Sequence, residues 1–359
     1  MPATRFIGRA AWTVETEFLR VTVLQCGGHL AEIVLRGGNQ TNPLWIQSQP
    51  TIDSDAYHPA IHGQIYGQSP ESRLLSGLAG HNLCFPFWGN PTPPEIAAGM
   101  TYHGETNICR WQSVQECQDE LTLEVQLPES AMKVQRRLRC RGHTVYIDSR
   151  ASNLTSWDRP FGWCEHVTMG PPFVQAGFTR FDASLTNGFV TGDANGPRLV
   201  WPEGFNPQMG LRGFDLTAFS PVPHKNLVNS FLVEPFREWG FFTAFHPRFA
   251  MVFGYAFPRC EFPWLNVWEN NDERSQARGM EFSNTPQHGT MKTLISSREV
   301  WGVPTYEWLD ARSTVSKRFI AFLHPVPPDF QGTADLRVLA NALELVERGT
   351  DRIFRVPVS

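Results

Sequence analysis

The sequence has few charged residues and no long run of either sign. Of its 359 residues, 18% are Asp, Glu, Lys or Arg, and the formal net charge is −4. Proteins that bind nucleic acid or anionic membranes by electrostatic attraction carry a basic patch or stripe, so neither partner is expected. The hydrophobic fraction of 41% lies outside the range typical of disordered chains and is enough to build a large core.

Long apolar segments are also missing. No stretch approaches the roughly 18 consecutive apolar residues that a membrane helix needs. The first twelve residues contain no apolar core followed by a small-residue cleavage site of the kind that a secretory signal carries. The sequence therefore predicts a cytoplasmic protein that is not embedded in a membrane.

Cysteine is sparse, and the common nucleotide and hydrolase motifs are absent. The seven cysteines are widely spaced and form no C-x-x-C pair, the spacing that is typical of zinc and redox sites. Glycine-rich nucleotide motifs, the phosphate-binding loop, the G-x-S-x-G turn and the H-E-x-x-H zinc motif are not found. No metal and no cofactor are predicted.

Turn-forming and aromatic residues are abundant instead. The chain contains 29 Gly, 28 Pro, 26 Phe and 12 Trp, and short β-rich runs are separated by Gly, Pro, Asn and Asp from residue 19 onward. Three such runs within residues 121–149 alternate apolar and polar residues, which predicts an antiparallel meander. We expect an all-β protein with few helices, built as one large β domain over residues 1–359.

One segment near the C-terminus has a helical period, and we predict a helix over residues 333–348. Its apolar face would consist of Leu336, Leu339, Ala340, Leu343 and Val346. This is the only convincing helical pattern in the chain.

The first group of candidate functional residues surrounds His103. It follows a segment rich in glycine and aromatic residues, residues 80–89, that includes His81, Asn82 and Trp88. Aromatic rings stack on the C–H faces of sugars while polar groups bind the hydroxyls. Taken alone, a buried histidine that hydrogen bonds to a turn is the simpler interpretation.

The second group is a strand that carries His166. On a strand, Cys164, His166 and Thr168 share one face, while Glu165 lies on the other, so Glu165 is not expected to orient His166. A Cys164–His166 nucleophile pair is disfavoured, because side chains two residues apart on a strand stand roughly parallel.

The third group contains Glu281, which lies between Met280 and Phe282. Burying a carboxylate in an apolar strand is costly unless it is paired or used, so Glu281 is a candidate general base. A structural ion pair with Arg278 is the alternative. Nearby, Trp268 and Glu269 end an aromatic strand, and a solvated turn is the simpler interpretation of Glu269.

In their order and spacing these groups resemble the galactose mutarotase-like superfamily, and the aldose 1-epimerase family in particular. The resemblance covers most of the chain. It rests on the aromatic loop before Gly89, on His103 with Trp111, on His166 with Pro171 and on Glu281 with Pro286. It implies a single large antiparallel β-supersandwich and an enzyme that interconverts the α and β anomers of a free sugar.

The resemblance also implies a role for each group. Glu281 would take the proton of the anomeric hydroxyl, His166 would protonate the ring oxygen, and His103 would hold or polarise the ring oxygen or a hydroxyl. The implied substrate-binding residues are His81, Asn82, Trp88, Glu105, Trp268 and Glu269. A carbohydrate is the expected partner, without metal or cofactor.

Two departures from the family pattern concern arginine, and two alternatives stay open. No Arg occurs in the loop before His103, and none follows Gly104 closely, which disfavours a phosphorylated sugar. One alternative is a non-catalytic carbohydrate-binding or regulatory protein of the same fold. The other is a metal enzyme that uses His103, Glu105 and His166. The identity of the sugar and the oligomeric state stay open.

Overall fold

The computed structural model describes residues 4–38, 40–273, 275–286 and 289–358, and this part of the chain is mostly β-strand. The strands, in chain order, are β1 (Thr4–Phe6), β2 (Arg9–Glu15), β3 (Leu19–Leu24), β4 (Leu30–Leu35), β5 (His81–Cys84), β6 (Gln112–Glu116), β7 (Glu120–Leu127), β8 (Met132–Arg141), β9 (Thr144–Asn153), β10 (Arg159–Phe161), β11 (Cys164–Met169), β12 (Arg180–Ala183), β13 (Leu185–Val190), β14 (Leu199–Val200), β15 (Glu203–Asn206), β16 (Leu211–Asp215), β17 (His224–Val233), β18 (Trp239–His246), β19 (Met251–Pro258), β20 (Trp264–Asn271), β21 (Gln276–Ser283), β22 (Glu299–Val300), β23 (Val303–Pro304), β24 (Glu307–Leu309), β25 (Thr314–Pro325), β26 (Thr333–Val338), β27 (Ala342–Glu347) and β28 (Ile353–Pro357). The helices are α1 (Pro59–Tyr66), α2 (Ser72–Leu75), α3 (Pro93–Ala97) and α4 (Met291–Ser297), with a 3-10 turn at Ser54–Ala56.

The larger sheet has eleven strands within the described ranges, in the order β1-β2-β3-β4-β5-β11-β21-β20-β17-β13-β14. Its neighbouring strands pair antiparallel. The strands that carry His166 and Glu281, β11 and β21, are therefore adjacent in the middle of this sheet.

The second sheet has eight strands in the described part of the chain, in the order β12-β18-β19-β25-β9-β8-β7-β6. Strands β7, β8 and β9 pair consecutively through antiparallel ladders, which confirms the meander predicted within residues 121–149. Six of the remaining strands form three ribbons, β10-β24, β15-β16 and β22-β23, and the other three form the sheet β26-β27-β28. The all-β prediction is confirmed.

The two large sheets face each other across an aromatic core. Phe282 of β21 stacks on Phe257 of β19 at 4.4 Å between ring centroids and contacts Phe319 of β25 edge-on at 5.1 Å. Each fully buried side chain of this size contributes about 1.5–3 kcal/mol relative to exposure. Because side chains alternate along a strand, Phe282 in the core directs its neighbour Glu281 to the opposite face of the larger sheet.

The prediction of a helix over residues 333–348 is wrong. This segment forms the antiparallel hairpin β26–β27, in which Leu336 pairs with Leu345 and Val338 pairs with Leu343. With β28 the hairpin forms a third layer, whose leucines pack on Phe245 and neighbouring side chains of the outer face of the eight-stranded sheet. The periodicity of a short apolar run fits a helix or a strand equally well. The strands form here because their leucines cover the apolar outer face of the eight-stranded sheet.

No helix within the described ranges is long and apolar enough to cross a membrane. A single domain over residues 1–359 stays a prediction.

Candidate active site

Polar side chains form a row across four central strands of the larger sheet. Asn82 of β5 lies directly opposite His166 of β11, which lies opposite Glu281 of β21, which in turn lies opposite Asn266 of β20. Residues that are directly opposite in an antiparallel ladder point to the same face. Four residues from distant parts of the chain therefore lie side by side on the face that points away from the aromatic core.

His166 and Glu281 are in direct contact within this row. His166 Nε2 lies 3.1 Å from Glu281 Oε1, and His166 Nδ1 lies 3.2 Å from the hydroxyl of Thr168. The two residues are buried, with exposed fractions of 9% and 2%. The structure does not show the Glu281–Arg278 ion pair that the sequence left open as an alternative.

Burial sets the protonation of this pair. It raises the pKa of Glu281 well above the ordinary value of a carboxyl group, and it lowers the pKa of His166 to about 4. Both shifts disfavour the charged form of a buried group. The 3.1 Å contact allows a proton to pass between the two groups.

His103 lies on a loop beside this pair. Its ring centroid is 5.3 Å from that of His166 and 3.7 Å from that of Tyr102. Burial, and to a smaller extent His166, lowers the pKa of His103 well below its ordinary value, so the ring is neutral and can both donate and accept. Two consecutive positive φ angles, 67° at His103 and 83° at Gly104, form the turn.

Glycine is required after His103 for a steric reason. A Cβ at position 104 would lie 2.4 Å from the carbonyl oxygen of Phe85, closer than such atoms can approach. Glycine at position 104 thus lets this turn pack against the aromatic loop.

A second row on the same face forms the floor beside the catalytic candidates. Thr168, Gly279, Trp268 and Val228 are consecutive partners across β11, β21, β20 and β17. A Cβ on Gly279 would lie 2.6 Å from Glu281 Oε1 and 3.1 Å from the Cβ of Trp268. The absence of a side chain at position 279 leaves the space that the Glu281 carboxylate occupies.

These rows face a cavity of about 540 Å³, within the range usual for small-molecule sites. The described residues that line it are Trp45, Glu71, Leu74, Leu75, Leu78, Tyr102, His103, His166, Thr168, Asn226, Val228, Trp268, Asn270, Ser275 and Glu281. This set contains three aromatic side chains, two histidines and two carboxylates. It contains no Arg or Lys.

Solved structures with the same architecture supply the comparison. A candidate aldose 1-epimerase from Klebsiella pneumoniae subsp. pneumoniae superposes with a TM-score of 0.66 at 14% identity, over 89% of this chain and 80% of that one. A galactose mutarotase related enzyme from Lactobacillus acidophilus superposes with a TM-score of 0.61 at 10% identity, over 88% and 98%. A galactose mutarotase-like protein from Lactobacillus casei superposes with a TM-score of 0.58 at 12% identity, over 88% of this chain and 100% of that one. The chain has the galactose mutarotase-like fold.

The fold that the sequence resemblance implied is therefore confirmed. No protein-family model and no curated protein matches the sequence. At identities of 10 to 14% the likeness establishes the galactose mutarotase-like fold alone, and the chemistry has to be argued from the residues of this chain.

Four of the residues predicted from the sequence meet in the cavity of this galactose mutarotase-like fold. Glu281, His166, His103 and Trp268 all line it. Trp88 lies behind the cavity, buried, with its ring 6.1 Å from that of His103. Trp88 therefore supports His103 from behind.

Asn82 is buried in the same row as His166. Its side-chain nitrogen has no hydrogen-bond partner among the described residues, and neither does the indole nitrogen of Trp88. Both residues are close to the reacting groups without lining the cavity.

His81 is not brought to the cavity. It lies on the opposite face of β5, where its Nε2 is 2.7 Å from Glu165 Oε2 and its Nδ1 is 3.0 Å from the hydroxyl of Tyr255. Glu165 also forms a buried ion pair with Arg136 at 2.5 Å. His81 thus belongs to a polar network between the two large sheets, and its predicted contact with substrate is not retained.

Glu105 is not brought to the cavity either. It is buried, and its carboxylate accepts hydrogen bonds of 2.9 Å from the backbone N–H groups of Glu129 and Ser130. It fastens one loop to another. The possible metal set of His103, Glu105 and His166 therefore lacks its carboxylate, and no three His, Cys, Asp or Glu side chains in the described ranges are arranged to hold a metal ion.

Glu269 is buried on the far side of β20 from the cavity. Its carboxylate lies 3.1 Å from Arg278 Nη2 and 3.4 Å from His224 Nε2, and it accepts a hydrogen bond from the backbone of Ser220. The solvated turn considered from the sequence and the predicted substrate contact are both replaced by a structural ion pair.

Several cavity residues were not identified from the sequence. Thr168 and Tyr102 carried a usable signal, because Thr168 is two residues from His166 on a strand and Tyr102 adjoins His103. Trp45, Leu78 and Asn226 come from distant segments. Nothing in their local sequence distinguishes them from other surface residues.

Proposed function

We propose that this protein is an aldose 1-epimerase that interconverts the α and β anomers of a free, unphosphorylated aldose. The observation that carries the proposal is the 3.1 Å contact between His166 Nε2 and Glu281 Oε1 in the floor of a sugar-sized cavity. Opening a hemiacetal needs a base and an acid within reach of the two oxygens of one carbon.

The reaction uses this pair as follows. Glu281 takes the proton of the anomeric hydroxyl while His166 donates a proton to the ring oxygen, and the bond between C1 and the ring oxygen breaks. The aldehyde then rotates about the C1–C2 bond. In ring closure Glu281 returns its proton to the carbonyl oxygen and His166 takes one back from the C5 hydroxyl.

Ring opening moves one proton onto Glu281 and one off His166, so the number of protons on the pair does not change. Burial favours the neutral form of both groups, with the pKa of Glu281 raised and the pKa of His166 lowered to about 4, which is the form that ring opening produces. The reacting form, with the proton on His166, is reached from it by proton transfer across the 3.1 Å contact. Neutral His103, 5.3 Å from His166, can donate a hydrogen bond to the ring oxygen or to a neighbouring hydroxyl.

The other cavity residues support a carbohydrate substrate. Trp45, Tyr102 and Trp268 offer aromatic faces for the C–H surfaces of a sugar ring. Amide and hydroxyl groups that can bind its hydroxyls come from Thr168, Asn226, Asn270 and Ser275. The described lining contains no Arg or Lys, the side chains that bind phosphate best, which supports an unphosphorylated substrate.

Polarimetry on a panel of free hexoses and pentoses tests the proposal. We expect the purified protein to accelerate the mutarotation of at least one aldose above the buffer rate. If a sugar binds, as measured by quenching of Trp fluorescence, while every sugar mutarotates at the buffer rate, a non-catalytic carbohydrate-binding protein of the same fold is the better description.

A further inference from the structure

The two sides of the cavity differ in chemistry. On the β5 side lies an apolar wall of leucines, Leu74 and Leu75 of α2 and Leu78, which follows α2. This apolar wall is fixed to the floor through Gly80, whose carbonyl accepts a hydrogen bond of 3.1 Å from the backbone of Thr168. On the β20 and β17 side, the lining contains amides from these two strands beside Trp268 and Val228 of the floor.

The polar wall on this side consists of Asn226, Asn270 and Ser275. Since the strand order is β5-β11-β21-β20-β17, the apolar wall and the polar wall lie on opposite sides of the His166–Glu281 pair. A substrate between them meets leucines at one end and amides at the other.

The positions of the acid and the base orient a sugar between these walls. This step rests on the proposed function, in which His166 protonates the ring oxygen and Glu281 deprotonates the anomeric hydroxyl. His166 is on β11, the strand next to β5, and Glu281 is on β21, next to β20. The ring oxygen therefore lies on the side of the apolar wall, and the anomeric hydroxyl lies on the side of the polar wall.

In a pyranose the ring oxygen is followed by C5 and its exocyclic substituent. That substituent consequently lies on the side of the leucines. We propose that the site selects aldoses with an apolar substituent on C5, namely 6-deoxyhexoses, whose C6 is a methyl group. A hydroxymethyl group in the same place would lose hydrogen bonds to water without gaining partners from the leucines.

A charged C6 group fits this wall even less well. Glu71, which is exposed, lines the cavity next to Leu74 and Leu75. A 6-phosphate or a C6 carboxylate would meet this carboxylate and the leucine side chains together. Discrimination between small groups in an apolar pocket typically amounts to about 10- to 200-fold, so we expect a preference of at least about tenfold for the methyl group.

The test compares sugars that differ only at C6. Suitable pairs are D-fucose with D-galactose, L-fucose with L-galactose, 6-deoxy-D-glucose with D-glucose, and L-rhamnose with L-mannose. For each pair, kcat/KM for mutarotation is measured by polarimetry, and Kd is measured separately by quenching of Trp fluorescence. We expect the 6-deoxy member of the best pair to have the higher kcat/KM and the lower Kd.

Two matched variants identify the wall that is responsible. Leu78→Asn places an amide in the apolar wall. We expect it to reduce the ratio of kcat/KM between the 6-deoxy sugar and its hydroxymethyl partner to less than about threefold. Val228→Asn makes the same kind of change in the same cavity on the β17 side, and we expect the preference to stay as in the wild type. Thermal melting establishes that both variants are folded.

The outcomes separate this proposal from the proposed function. Mutarotation with equal or better activity on the hydroxymethyl sugars would overturn the C6 selectivity and leave the epimerase proposal standing. Binding that favours the 6-deoxy sugars without any mutarotation would support the selectivity and overturn the epimerase proposal. No binding and no mutarotation with any pair would overturn both.

Discussion

His166 and Glu281 occupy one register position of two neighbouring antiparallel strands, and their side chains meet at 3.1 Å. The backbone ladder between β11 and β21 fixes this contact before any substrate binds. A slip of one residue would turn either side chain to the core face. The fold thereby holds the proposed acid and base in place.

Removing either member of the pair should abolish most activity. We expect Glu281→Gln and His166→Asn each to lower kcat by about 10² to 10⁴-fold, the contribution usual for one general acid or base. Circular dichroism and thermal melting serve as controls for the fold. A Glu281→Gln protein with kcat within a few-fold of the wild type would contradict the assignment of the base.

The pH dependence of kcat should not follow the titration of a histidine with an ordinary pKa. Because burial lowers the pKa of His166 to about 4, the pair gains a second proton, and activity is lost, only as the pH falls through about 4. Because burial raises the pKa of Glu281, the shared proton is lost at a higher pH than from an ordinary carboxyl group. Once the buffer rate at each pH has been subtracted, we expect a plateau above about pH 4 that ends where Glu281 ionises. A steep rise in kcat between pH 6 and 7 would contradict this account.

Gly279→Ala should impair catalysis through the position of Glu281. The new Cβ would fall 2.6 Å from Glu281 Oε1 and 3.1 Å from the Cβ of Trp268, so the carboxylate has to move. A misplacement of about 1 Å can cost about 10²-fold in rate. We expect a drop in kcat of this order, with little change in melting temperature. Wild-type kcat would show that the Glu281 carboxylate can act from another position.

Glu269→Gln should affect stability rather than chemistry. Breaking one partner of a buried ion pair typically costs about 3–5 kcal/mol, and Arg278 would lose its carboxylate in a site where it is fully buried. We expect a lower free energy of unfolding by urea denaturation, with KM of the folded protein nearly unchanged. A large rise in KM at unchanged stability would instead restore Glu269 as a substrate-binding residue.

Chelation should leave the activity unchanged. Glu105, the carboxylate of the possible metal set, is held by two backbone N–H groups away from the cavity, and the proposed proton transfers need only side chains of this chain. We expect dialysis against EDTA to preserve kcat. Loss of activity that one divalent ion restores would favour the metal enzyme instead.

The sequence predicted the β-meander and the burial of Glu281 correctly, because both follow from local pattern. The alternation along β11 places His166 and Thr168 on one face and Glu165 on the other, as the structure shows. A carboxylate between Met280 and Phe282 indicated a buried acid, and Glu281 is buried.

Two substrate contacts could have been excluded by the same alternation. His81 and Asn82 are consecutive on β5, and Trp268 and Glu269 are consecutive on β20. Only one residue of each couple can face the cavity, because successive side chains on a strand point to opposite faces.

Other features depend on tertiary neighbours and could not be predicted locally. The hairpin at residues 333–348 exists because its leucines cover the outer face of the eight-stranded sheet. The apolar wall reaches the cavity because the segment before β5 runs beside Thr168, whose backbone N–H donates a hydrogen bond to the carbonyl of Gly80. No local periodicity encodes either contact.

Magnetisation-transfer NMR on an equilibrium mixture of anomers tests the central claim most directly, since it measures the exchange rate between the α and β forms without a net reaction. For the best sugar of the panel we expect the exchange rate to rise in proportion to the concentration of wild-type protein and to stay at the buffer rate with Glu281→Gln. Exchange at the buffer rate for every aldose, or equal acceleration by the wild type and Glu281→Gln, would contradict catalysis by the His166–Glu281 pair.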